Sequence, residues 1–134
     1  MKLLTKSIHA QLLRNGRLRQ ARQESGRAED DFIPVVKLFT PDAQCTWLLT
    51  ELDPEDPDIA FGLCDLGMGC PELGAVRISE LESVRGRLGL PVERDLSFSA
   101  SHAISVYARA AWNAAAITED DAALTQAAAR GGAS

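Results

Sequence analysis

Aromatic residues make up only 5% of this 134-residue chain, and none precedes Phe32. The basic N-terminal segment therefore lacks the stacking platforms on which single-stranded bases are usually held. Cysteine is also scarce. Cys45, Cys64 and Cys70 are an odd number and lack the close paired spacing of structural zinc ligands, so they read as small hydrophobes with no disulfide framework. His9 and His102 are the two histidines, and no G-x-S-x-G elbow accompanies either. Long apolar runs are missing too: nothing approaches the roughly 20 residues that cross a bilayer. The opening MKLLTKSIHAQLL is interrupted by Lys6, Ser7, His9 and Gln11, so it reads as a helix rather than a signal peptide. A soluble, cytoplasmic protein without membrane contact is expected.

The stretch ELDPEDPDIAFGLCDLGMGC (Glu51 to Cys70) invites two chemical readings, and neither pattern closes. A calcium loop starting at Asp53 would need glycine in sixth place and glutamate in twelfth, where Asp58 and Cys64 stand. A dinucleotide loop starting at Gly67 would need a third glycine where Glu72 follows Pro71, opposing phosphate with a negative charge and a missing donor. The stretch reads as a solvated acidic turn followed by glycine turns. Carboxylate pairs such as Asp53 with Asp58, or Glu93 with Asp95, are not singled out by any motif. No catalytic, cofactor or metal residue is assigned.

What is present is ordinary globular composition, 46% hydrophobic and 25% charged, in a length that suits one core. The net charge of −5 is unevenly spread. Lys2, Lys6, Arg14, Arg17, Arg19, Arg22 and Arg27 against Glu24 give residues 1–28 a charge of +6, leaving −11 for residues 29–134. Such an arm can meet phosphate, an acidic partner or the acidic body of its own chain, and the last reading comes first.

Along the chain, Thr5 caps a helix through Ile8, Leu12 and Leu13, with Asn15-Gly16 as its stop, so residues 1–16 form an N-terminal helix. Residues 17–31 are almost free of apolar side chains and read as a polar linker or exposed helix. The core spans 32–117. Pro34 to Thr40 and Cys45 to Leu52 are two strands joined by PDAQ, with Trp47 and Leu49 on one face and Leu48, Thr50 and Leu52 on the other. Ile59 to Cys64 is a third strand, whose Ala60, Gly62 and Cys64 make a face open to a close helix or backbone. Ala75 to Ile78 is a fourth, followed by a Ser79/Glu82 capping box and a helix ending near Gly86. Alternation from Val92 to Phe98 gives a last strand. Ser99 or Ser101 then starts a helix whose stripe of Ile104, Tyr107, Ala108, Ala111, Trp112 and Ala115 is buried, and residues 118–134 are a mobile tail.

Four pieces of the core, TWLLTELDP, FGLCDLG, PELG and LGLPVERD, resemble those of an uncharacterised bacterial domain-of-unknown-function family, number 2958, over about residues 1–110. The resemblance implies accessory cargo of plasmids and integrative conjugative elements, and brings no activity with it. Cys70 stands where an aromatic residue is expected, and the Ala-rich tail and residues 17–31 depart from the family core.

The expected fold is a single α+β domain, with an antiparallel sheet of about five strands and the N-terminal and C-terminal helices packed on one face. The expected function is non-enzymatic: an accessory protein of a mobile element that acts by binding another macromolecule, such as a host defence complex, with a protein as the expected partner. Two alternatives stand beside it. One is nonspecific nucleic-acid binding through the seven basic residues named above, weak because the acidic body repels DNA. The other is a small enzyme using a carboxylate or Cys64.

Overall fold

β-branched and aromatic runs between residues 34 and 94 pair into one antiparallel sheet. The computed structural model describes residues 3–26 and 30–132. Its elements, in chain order, are α1 (Lys6–Glu24), β1 (Val36–Phe39), β2 (Thr46–Asp53), β3 (Asp56–Asp65), β4 (Glu72–Arg77), α2 (Ile78–Ser83), β5 (Glu93–Arg94), α3 (Ile104–Ala114) and α4 (Asp121–Gly132). The strands lie in the order β4-β3-β2-β1-β5, every pair antiparallel. This is the expected single-domain α+β arrangement with five strands. Among the described residues no helix is long and apolar enough to cross a membrane.

The helices do not share a face. Successive residues of β2 point to opposite sides. Leu49 packs with Leu12 of α1, Leu38 and Leu52, whereas Leu48 packs with Leu63 of β3 and with Tyr107, Ala111 and Leu124 of α3 and α4. The sheet is therefore sandwiched, α1 and α2 on one side and α3 and α4 on the other. A bulge between Leu49 and Glu51 adds a residue to β2, which returns Leu52 to the Trp47 side against simple alternation.

Thr5 caps α1 as expected, its Oγ1 accepting from the Ile8 amide at 3.1 Å. Asn15-Gly16, however, is no stop: α1 runs through both residues, and through much of the expected linker, to Glu24. The Asn15 side chain donates to the Thr50 carbonyl at 2.9 Å, and a Cβ on Gly16 would lie 1.8 Å from the Leu52 carbonyl oxygen. The pair lets the helix lie directly on β2. Farther along β3, a Cβ on Gly62 would meet the Leu48 carbonyl at 2.0 Å, so the small face of that strand admits a neighbouring backbone.

Other boundaries moved because carboxylates from distant segments took over local roles. The Ser79/Glu82 box does not form. Asp58 of β3 accepts from both the amide and the hydroxyl of Ser79 and so caps α2 from across the β3–β4 pair. Neither Ser99 nor Ser101 caps α3, which begins after Ala103 with Asp31 accepting from the Ser105 amide and hydroxyl. The last strand is only Glu93–Arg94, because Asp95 accepts from the Ser97 amide and turns the chain away. Past Ala115, which adopts φ +61°, the expected tail holds a helix: α4 buries Leu124 and Ala127 against α3. The linking loop is tied down where the Ile117 amide donates to buried Asp65 and where Lys37 meets Glu119.

Candidate functional site

The basic residues of the N-terminal arm divide into three groups. Lys2 and Arg27 lie outside the described residues. Arg19 and Arg22 pair with carboxylates of their own chain, Arg19 partly buried and Arg22 exposed. Arg19 pairs with buried Glu51 at 2.5 Å and stands 5.7 and 5.6 Å from the ring centres of Phe32 and Phe61, close enough for cation–π attraction. Arg22 meets Asp30 at 3.0 Å. Lys6, Arg14 and Arg17 remain exposed on α1. At 100° per residue they fall within a sector of about 80° on the side away from Leu12 and the sheet.

The acidic stretch is a hairpin. Asp53 pairs with Asp56 across the two-residue turn Pro54-Glu55, and Asp53 Oδ1 accepts from the Glu55 amide. Asp56 and Asp58 share Arg77 at 3.2 and 3.5 Å. The Ser79 hydroxyl and amide, with a smaller contribution from Arg77, hold the Asp58 carboxyl below its ordinary range. Burial pushes the Cys64 thiol up, the direction opposite to an activated nucleophile. Among the described residues no three His, Cys, Asp or Glu side chains gather as a metal site. Ser101 Oγ and His102 Nδ1 approach to 2.7 Å on the exposed approach to α3, and neither lines the cleft described next.

That cleft, of about 460 Å³, opens beside the end of α1 over the β2–β3 hairpin; Arg19, Glu51, Phe61 and Ala75 are among its walls. From it an apolar shelf runs outward along β3 and β4. Residues opposite one another in a ladder share a face, so Leu73 and Ala75 of β4 stand beside Leu63 and Phe61 of β3. Leu63 is sealed by α3, whereas Leu73 and Ala75 beside it are exposed.

The final turn of α3 places Trp112 at the margin of this shelf, 57% exposed, with its indole N–H donating to the Pro71 carbonyl at 2.9 Å. This corrects the expectation that Trp112 is buried; Trp47 is, at 4%. The β3–β4 loop carries Met68, 76% exposed, and exposed Leu66, which lines a separate cleft with Pro41, Gln44 and Arg87. Sequence reading missed the shelf because helical spacing assigns Trp112 to the buried stripe. It does not show that the stripe outruns the sheet. The available signal was the run LGMG, apolar residues set between glycines that both adopt positive φ.

No curated protein and no solved structure matches the chain. A family model described as a protein of unknown function matches residues 3–118, most of the chain and all of the sheet, so the chain belongs to that family, DUF2958.

Proposed function

We propose that the protein is a non-enzymatic accessory component of a mobile genetic element that works by binding another protein, such as a host defence complex, through the shelf beside β4. The carrying observation is the half-exposed Trp112, oriented by its bond to Pro71, with exposed Leu73 two residues further along the same segment. Exposed apolar side chains grouped together mark interaction surfaces, and Trp is enriched among their energetic centres. The mobile-element context is what the resemblance to the family implies.

The test is site-specific photo-crosslinking at Met68 and Leu73 in bacterial cells that carry the gene in its natural context, with Arg17 as the control position. Adducts to one protein at the two shelf positions, suppressed by Trp112→Glu, are expected. Adducts at Arg17 alone, or shelf adducts that Trp112→Glu leaves unchanged, overturn the reading.

Nucleic-acid binding is favoured by one observation, the outward sector of Lys6, Arg14 and Arg17. Three phosphate contacts give a slope of about −3 in log affinity against log salt, which is weak binding lost near physiological salt. A DNA titration at two salt concentrations with K6E/R14E/R17E separates the readings. Tight binding that survives salt and vanishes in the triple variant would put DNA first.

A further inference from the structure

β4 is the outer strand of the sheet, and among the described residues nothing pairs with its free edge. Natural edge strands are usually guarded by an inward charge, a proline, a bulge or a covering segment. The centre of β4, Leu73-Gly74-Ala75-Val76, has no charge and no proline, and its ladder with β3 runs without a register shift. An unguarded edge of this length beside a shelf of exposed apolar side chains offers main-chain hydrogen bonds and side-chain seats together, the two requirements for receiving an added strand.

Charge states which strand. Glu72 stands at one end of the edge. Asp56 and Asp58 stand at the other, sharing Arg77 between them, and exposed Glu80 and Glu82 follow on α2. Five carboxylates thus stand along the edge and α2 against two cations, Arg77, which is already paired, and Arg85, which is turned to the Glu82 and Val84 carbonyls.

We infer that β4 receives an extended, basic and apolar segment of a partner protein as a sixth strand, its apolar side chains seated on Leu73 and Trp112 and its cations beside Glu72. The inference rests on the protein-binding reading above and adds the conformation and charge of what is bound. Strand addition fixes the partner through backbone groups, so beyond alternation and positive charge its sequence tolerance is broad.

The test uses peptides of about six residues, a typical strand length: alternating lysine and valine, the same peptide N-methylated at alternate residues, and alternating glutamate and valine. Binding to the full chain is followed by NMR. The lysine peptide is expected to shift and protect the amides of Glu72–Arg77 and to shift the Trp112 indole. N-methylation and the glutamate peptide should each weaken binding at least tenfold, and Glu72→Lys should abolish the preference for lysine.

Equal binding of the N-methylated peptide, or shifts confined to residues outside β4 and Trp112, overturns the inference. So does protection of the β4 amides by raising the protein concentration alone, which makes a second copy the occupant, or displacement of the peptide from β4 by duplex DNA. If crosslinking at Met68 and Leu73 captures a protein while the lysine peptide leaves β4 unmoved, strand addition fails and the protein-binding reading stands. If crosslinking captures nothing and the peptide still behaves as expected, the binding mode stands and the cellular role falls.

Discussion

Replacing Gly16 by alanine tests whether α1 lies on β2 through backbone contact. In a solvent-exposed helix this change stabilises by about 1 kcal/mol, because glycine has more backbone entropy to lose. Here the added Cβ would stand 1.8 Å from the Leu52 carbonyl oxygen and 3.0 Å from its carbon. Both are backbone atoms of a central strand, so no rotamer change relieves the clash and α1 must lift by roughly 1.5 Å to restore van der Waals contact. Lifting stretches the 2.9 Å bond from Asn15 to the Thr50 carbonyl and opens the packing of fully buried Leu12 against β2. Overpacking costs about 1–3 kcal/mol and a weakened buried hydrogen bond about 1 kcal/mol more, against the gain of about 1 in helix propensity. The net expectation is a loss of about 1–3 kcal/mol, read as a lower urea midpoint at unchanged slope. Gly74→Ala is the control, since nothing lies within 4 Å of its added Cβ. A Gly16→Ala variant more stable than the parent would refute the packing and restore Asn15-Gly16 to the end of a short helix.

The two tryptophans should separate cleanly: Trp47→Ala, at 4% exposure, should cost about 3–5 kcal/mol in urea unfolding, while Trp112→Ala at the shelf should cost about 1 kcal/mol or less. Under native conditions a thiol reagent should modify exposed Cys70 promptly and partly buried Cys64 markedly more slowly, because burial both shields that thiol and raises its pKa; equal rates would contradict the packing of β3. Asp58 has a folded pKa below its unfolded value of about 3.9, so its contribution is fully present above that value and lost as pH falls through the folded pKa. The stability gap between the parent and Asp58→Asn should therefore close on acidification below about pH 4, and a gap constant from pH 6 to pH 2 would disprove the capping of α2 by this carboxylate.

Local pattern reached most of the sheet. Trp47 to Leu49 and Ile59 to Leu63 alternate because each strand divides two apolar layers, and the turn residues between them mark the hairpins. It failed where a distant group replaces a local signal. Asp58 caps α2 and Asp31 caps α3 from 21 and 74 residues away, so the serines nearer each helix start were the wrong candidates. The bulge in β2 is a misfit between two strands that neither strand carries alone. Asn15-Gly16 is the same case in reverse: a dipeptide that ends helices in isolation continues one when a strand carbonyl approaches where a side chain would stand.

The candidate surface is harder to read for a related reason. Whether a strand is an edge is a property of the sheet, and the order β4-β3-β2-β1-β5 puts the fourth strand at one margin and the fifth at the other. β5 forms a two-residue edge that ends at the Asp95 turn, which limits what can pair with it. β4 is three times as long, and the features that would blunt it are displaced to its ends, where Glu72 and Arg77 stand. Across the sheet, Arg19 occupies the other end of the same face by pairing with Glu51 and approaching Phe61, so the apolar surface left open is the part between that pair and Trp112. A cation that sequence reading offered to an outside partner thus closes one end of the shelf, and a tryptophan that it buried stands at the other.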